Sequence, residues 1–266
     1  EVHYLDVDGS GRIDIDDLEA QITESTALIS LQHANSETGV LQNIKRASEI
    51  ARNKGILFHT DAVQSVAKIP FDLKNYPVDL LSISAHKFYG PKGVGALYLR
   101  KGTPALFSPL CGGNQEKKRR GGTENVAGIM GFGKACELAN ENISETSKLA
   151  DLRDYFQNRV CELIPRTELW GDKANRLPNT LNLSFDGVAG DTLLIALDME
   201  GVAVSTGSAC SSGTGLPSPV LRAMGIPNDK INSSIRFSLG SSISKSDLDL
   251  VVGILVKVVN LNKIAI

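Results

Sequence analysis

The stretch Asp79-Leu-Leu-Ser-Ile-Ser-Ala-His-Lys-Phe-Tyr-Gly-Pro-Lys-Gly-Val-Gly95 decides how the chain reads. It starts as a β-prone apolar run and stops on a hydroxyl, an imidazole and an amine: Ser84, His86 and Lys87. A strand that ends in clustered polar groups suits the carboxyl edge of a parallel sheet, where α/β folds bind ligands. The following Gly90-Pro-Lys-Gly93-Val-Gly95 resembles a phosphate-cradling loop, but it has neither the Walker spacing nor a strand-GxGxxG-helix context. Its glycines are expected to turn the chain sharply into a strand at Ala96–Leu99.

Two upstream stretches repeat the pattern. Ala27–Gln32 reads as a strand ending in Gln32-His33-Ala-Asn35-Ser36-Glu37, and Ile56–His59 as one ending in His59-Thr-Asp61-Ala-Val-Gln64, with a helix between them near Ile44–Asn53. Strands alternating with helices predict βα units and a largely parallel sheet, whose tips would bring these polar groups into one pocket. A helix starts near Asn125, and the polar stretch Asn140–Lys148 reads as a connection. Beyond it come a strand at Thr180–Phe185, a helix at Asp191–Glu200, a strand at Ile235–Ser238 and a last helix from Lys245, a pattern of a smaller α+β domain. The expected division is residues 1–142 for the larger domain and 143–266 for the smaller.

Composition narrows the function classes. A chain of 266 residues with 42% hydrophobic content can bury one large core or two smaller ones. A net charge of -2 and only short basic runs, such as Lys117–Arg120, argue against a nucleic-acid partner. The four cysteines, at positions 111, 136, 161 and 210, are too far apart for a CxxC pair or a compact zinc site, so no metal centre is expected. Sparse cysteines and the lack of a membrane-spanning apolar run predict a soluble, cytoplasmic protein. The chain opens at Glu1 on a strand-like Val2–Leu5, without an initiator Met or signal peptide, and reads as a piece lacking an N-terminal portion. Asp6-Val-Asp-Gly-Ser-Gly11, with Asp14 and Asp17, mimics a calcium loop. What precedes it is β-prone rather than helical, so a turn capping a helix at Ile15–Ile22 is the better reading.

An arbitrary lysine ending a strand is usually a surface residue. Lys87 has Ser84 and His86 beside it and Asp61 on a neighbouring tip, the set that an aldehyde cofactor held by a lysine requires. A carboxylate keeps the pyridine nitrogen protonated, and hydroxyl or imidazole donors hold the phosphate. Cys210 lies in the Gly- and Ser-rich run Ser205–Gly215, which suggests a mobile loop presenting an accessible thiol, whereas Cys111, Cys136 and Cys161 default to structural roles.

The segments Asn35-Ser-Glu-Thr-Gly39, His59-Thr-Asp-Ala-Val-Gln-Ser65, Ser84-Ala-His-Lys-Phe-Tyr-Gly-Pro-Lys-Gly93 and Ser205-Thr-Gly-Ser-Ala-Cys-Ser-Ser212 resemble the NifS/IscS cysteine desulfurases. These belong to the class V aminotransferases and have the type I fold of pyridoxal 5'-phosphate enzymes. The resemblance implies Lys87 as the Schiff-base lysine, Asp61 at the pyridine nitrogen, Gln64 at the ring hydroxyl, and Ser84 and His86 at the phosphate. It further implies Thr123 as a phosphate ligand lent to the neighbouring subunit of a homodimer, although an N-cap role before Glu124 suits that position equally. Arg236 would grip the substrate carboxylate, helped by Asn35 and Ser36. Ser36 stands where many relatives have a second asparagine, and Asn114, Lys117 and Lys118 also depart from the family pattern.

The activity implied is conversion of L-cysteine to L-alanine, with sulfur carried as a persulfide on Cys210 to an acceptor protein such as an iron-sulfur scaffold, or into tRNA thiolation. The alternatives are a selenocysteine lyase or aminotransferase relative, and a catalytically incompetent fragment with a scaffolding role. Relatives have N-terminal residues that stack on the pyridine ring and bind phosphate, and these have no counterpart here. A protein truly starting at Glu1 is therefore expected to bind the cofactor weakly.

Overall fold

A computed structural model describes residues 1–108, 110–206 and 217–262. In chain order its elements are α1 (Ile15–Ala20), β1 (Leu28–Gln32), α2 (Ile44–Asn53), β2 (Leu57–Asp61), β3 (Leu80–Ser84), β4 (Gly95–Leu99), α3 (Gln115–Lys118), α4 (Val126–Asn142), α5 (Thr146–Leu163), β5 (Thr167–Leu169), β6 (Thr180–Phe185), α6 (Gly190–Met199), β7 (Ser205–Thr206), α7 (Pro219–Ala223), α8 (Asn228–Asn232), β8 (Ser234–Ser238) and α9 (Lys245–Asn262). The single turn α3 carries positive φ at Glu116 and Lys117.

One compact unit comprises Ile22–His33 and Asn43–Ser144. Its sheet has the order β1-β2-β3-β4, with β1, β2 and β3 parallel and β4 antiparallel to β3. The α2 helix returns the chain from β1 to β2. The Asn43 side chain accepts from the Arg46 amide at its start, and Ile44, Ala47, Ile50 and Ala51 form its buried face. Burying Ile44 and Ile50 contributes about 1.5–3 kcal/mol each relative to exposure. On β2, Phe58 and Thr60 are buried, whereas Leu57, His59 and Asp61 alternate onto the more open face.

The second unit comprises Glu1–Gln21, Ala34–Gln42 and Glu145–Ile266. Its sheet, ordered β5-β6-β8-β7, is antiparallel throughout. Phe156 of α5, Leu193 and Leu197 of α6, and Leu248, Val252 and Leu255 of α9 share a core with Leu181, Leu183, Phe185, Ile235 and Phe237 of the sheet. The α9 helix starts with a reciprocal cap: the Asp247 amide donates to Ser244 Oγ at 3.2 Å, and the Ser244 amide donates to Asp247 Oδ2 at 2.9 Å.

Three expectations change. The first domain is not the contiguous 1–142, because residues 1–21 and 34–42 cluster with the C-terminal part. Non-local backbone pairing is the reason: Val40 bridges Arg176, and the Leu41 amide donates to Asn175 O at 2.9 Å. Val2–Leu5 forms no strand; Val2 and Tyr4 are exposed, with no neighbouring strand among the described residues to pair with. Cys111, Cys136 and Cys161 do not fill cores, for all three are exposed.

The calcium-like stretch folds as a turn. Asp8 Oδ1 accepts from the Ser10 amide at 2.8 Å and the Arg12 amide at 3.0 Å, and Asp14 caps α1. These bonds hold the Asp8 carboxyl below its ordinary pKa, with the Ser10 hydroxyl contributing most.

Candidate active site

In the first unit the pairing fixes which tips are level. Gln32 pairs with Asp61, and Asp61 with Ser82, so the carboxyl ends of three parallel strands come together at one edge. The chain is tied there by two backbone bonds: the His33 amide donates to Asp61 O at 2.8 Å, and the Ala62 amide to Ser82 O at 3.0 Å. Asp61 Oδ1 accepts from the Val63 amide at 2.9 Å, which orients the carboxylate and leaves Oδ2 without a partner among the described residues. Gln64, one turn on, accepts Lys68 Nζ at 3.1 Å through Oε1.

After β3, a 3₁₀ turn over Ala85–Phe88 carries His86 and Lys87. Ser84 Oγ lies 2.8 Å from His86 Nδ1, so the two form one polar pair. Lys87 is half-buried and has no ion-pair partner among the described residues. The turn is held from behind by Phe88, which packs with Ala85, Phe132 and Ala135. Two glycines allow this geometry. A Cβ at Gly90 would lie 2.8 Å from Ala85 Cβ and 2.9 Å from Ala85 O, and Gly93 takes a φ of +76° where the chain reverses into β4.

The open face of this sheet carries a polar row that sequence reasoning left without a role. His59 Nδ1 is 2.8 Å from Ser30 Oγ, and His59 Nε2 is 2.9 Å from Ser82 Oγ. Burial lowers the His59 pKa, and the Asp61 charge opposes that shift. At the edge itself, His33 is buried against Phe71 and Tyr76, and desolvation lowers its pKa to about 4.

Thr123 is exposed, and α4 is capped by Asn125, whose side chain accepts from the Gly128 amide; the alternative of Thr123 as N-cap does not hold. An N-cap side chain reaches the second or third helical amide, and Thr123 precedes the helix by too much.

The second unit gathers the other predicted residues. Arg236 Nη1 donates to Ser36 O at 3.1 Å, while its buried Nε has no hydrogen-bond partner among the described residues. Asn35 Oδ1 is committed to its own turn, accepting from the Glu37 and Thr38 amides at 2.8 and 3.1 Å. Sequence reasoning missed Glu37, although its segment was singled out, because burial of a charge is not legible in a motif. Glu37 is buried and accepts Ser218 Oγ at 2.5 Å. Burial raises its pKa, opposed by the Ser218 hydroxyl and the Arg236 charge. Cys210, with its proposed mobile loop, lies outside the described residues.

The class-V aminotransferase family matches residues 1–251. The chain is 51% identical over 260 residues to "Cysteine desulfurase IscS" of Dictyoglomus turgidum, an alignment covering 97% of this chain and 66% of that protein. It is 46% identical to "Cysteine desulfurase IscS" of Clostridium botulinum, with the same coverage of 97% and 66%. It thus spans just under two thirds of the length of these curated relatives. Among solved structures, a "NIFS-LIKE PROTEIN" superposes with a TM-score of 0.90 at 36% identity, over 98% of this chain and 68% of that one. A NifS-like protein from Rickettsia africae gives 0.87 at 32% identity, over 96% and 69%. The α/β fold is therefore that of the type I pyridoxal-phosphate enzymes, and the matched motifs, the sheet topology and the sequence identity lead to one assignment: the chain belongs to the class-V aminotransferase family.

Proposed function

We propose that this chain is the larger part of a cysteine desulfurase that uses pyridoxal 5'-phosphate. The observation that carries the reading is the level placement of Asp61 beside Ser82, with the Ser84–His86 pair and Lys87 following on the adjacent strand. The donor set fits the cofactor's chemistry. A hydroxyl-imidazole pair suits a phosphate, an oriented carboxylate with one free oxygen suits a pyridinium nitrogen, and an unpaired lysine amine suits an aldehyde. When bound, the cofactor's ring supplies an electron sink for charge developing at the substrate α carbon.

The chain's own groups do the rest. Asp61 holds a proton at the pyridine nitrogen, Gln64 meets the ring hydroxyl, and Ser84 and His86 bind phosphate. Lys87 Nζ holds the cofactor, then moves the substrate's α proton. Arg236 binds the L-cysteine carboxylate through its free donors, with Asn35 and Ser36 shaping that side. The Cys210 thiolate attacks the substrate sulfur; the Cβ–S bond breaks, alanine leaves after protonation, and the sulfur stays on Cys210 as a persulfide. An acceptor protein such as an iron-sulfur scaffold then takes it. A homodimer with Thr123 reaching the partner's phosphate is part of the reading, supported by the exposed Val126 and Met130 on the helix that follows Thr123.

The test is incubation with L-cysteine, followed by assay of alanine and of alkylated persulfide by mass spectrometry. The parent protein should release alanine and carry sulfur on Cys210. Cys210→Ser should retain the cofactor's visible absorbance but form no persulfide, and Lys87→Ala should lose the lysine-bound absorbance. Normal turnover by Cys210→Ser would overturn the assignment.

A further inference from the structure

In the unit formed by Ile22–His33 and Asn43–Ser144, a cleft of about 350 Å³ is lined by Arg46, Glu49, Arg52, Lys74, Tyr76 and Arg100. Part of its lining comes from the end of the sheet opposite the Asp61 and Ser84 tips. Leu80 pairs with Leu99, so Tyr76, which leads into β3, and Arg100, which follows β4, sit at the amino end of the parallel strands.

The charges in the cleft do not balance. Arg100 is fixed in place: its Nε donates to Val78 O at 2.7 Å, its Nη2 donates to Tyr76 O at 2.8 Å, and Asp79 lies 3.8 Å away. Arg46, Arg52 and Lys74 have no side-chain partner among the described residues. With Asp79 set against Arg100, three cations remain against the single carboxylate of Glu49. They come from two elements, α2 and the turn before β3, and converge with Arg100, from the end of β4, on one concavity. The Tyr76 ring, stacked on Phe71 at 4.7 Å, gives it a fixed wall.

We propose that this cleft binds a compact, multiply charged oxyanion of the di- or triphosphate class. Guanidinium groups offer forked donors that match phosphate oxygens, and several of them around one small volume suit clustered negative charge. A nucleic-acid backbone would instead need cations spread along a stripe, and the net charge of -2 gives it no wider basic field. The volume is at the lower end of the range for small-ligand sites.

Calorimetric titration of the full chain with inorganic tripolyphosphate, in about 0.15 M salt where weak surface attraction is screened, tests the site. Saturable one-site binding is expected, weakened at least tenfold in Arg52→Glu/Lys74→Glu, unchanged in Lys134→Glu and unchanged in Ser84→Ala/His86→Ala. Should the charge-reversed protein melt early, Arg52→Gln/Lys74→Gln replaces it, with a smaller loss expected in the same direction. Absence of saturable binding overturns the proposal, as does equal weakening by Lys134→Glu. Loss through Ser84→Ala/His86→Ala alone would place the anion at the cofactor tip and overturn it as well, without touching the desulfurase reading.

Discussion

The imidazole Nε2 of His59 lies 2.9 Å from the hydroxyl of Ser82, on the strand whose register partner for Ser82 is Asp61. With Ser30 at 2.8 Å on the other ring nitrogen, the imidazole ties β1, β2 and β3 together just below their carboxyl ends. His59→Leu should therefore lower stability by about 0.5–1.5 kcal/mol, the net contribution of its bond to the half-buried Ser82 hydroxyl, because the exposed Ser30 hydroxyl can turn to water instead. Urea denaturation of His59→Leu, Ser82→Ala and the double variant measures this. A coupling of about 0.5 kcal/mol or more is expected in the cycle, and strict additivity would show that the bond contributes nothing.

His33 adds a pH dependence that can be isolated. Its ring is buried, and desolvation brings its pKa from 6.5 to about 4. Between those values the unfolded chain takes up a proton that the native ring refuses, so this contribution is complete above pH 6.5 and is lost as the pH falls toward 4. The full span corresponds to on the order of 3 kcal/mol. Denaturation at pH 7 and pH 4.5 should show a smaller acid-induced loss in His33→Leu than in the parent, and equal losses would refute the assignment.

Gly90→Ala tests how the Lys87 turn is held. The added methyl would meet Ala85 on both its side chain and its carbonyl, at 2.8 and 2.9 Å, and Ala135 Cβ at 3.2 Å. Backbone cannot yield as a flexible side chain does, so a loss of about 1–3 kcal/mol is expected. The strain falls on the segment that carries His86 and Lys87, and cofactor affinity measured by equilibrium dialysis should fall with it. Unchanged melting and unchanged affinity together would mean that the turn tolerates the methyl.

The legible parts of this molecule were those with strong local chemistry. The β6 strand, Thr180–Phe185, was readable to the residue because a continuous β-prone run marks it, and the β3 tip because an apolar run stops abruptly on Ser84, His86 and Lys87. β5 and β7, with three and two residues, are too short to carry any period. Val2–Leu5 has strand-like composition, but propensity without a partner strand forms nothing. The placement of residues 34–42 was illegible for another reason. It depends on pairing with Asn175 and Arg176, far along the chain, which no local pattern encodes.

Glu37 offers the sharpest electrostatic test of the Arg236 side. It is buried, which raises its carboxyl pKa, while Ser218 and Arg236 pull it partly back. A carboxyl whose native pKa lies above its unfolded value favours the folded state most when protonated. Its contribution is therefore present below the unfolded pKa of about 4.5 and declines as the pH rises through the raised native value. Glu37→Gln keeps the shape, keeps an acceptor for the Ser218 hydroxyl and removes the ionisation. The Tm of this variant relative to the parent should accordingly be higher at pH 8 than at pH 4. If Arg236 needed the Glu37 charge more than burial opposes it, the order would reverse, with the variant losing most at pH 8. Thermal melts at the two pH values decide between these outcomes, because the sign of the difference reports whether desolvation or the Arg236 attraction prevails at this carboxylate.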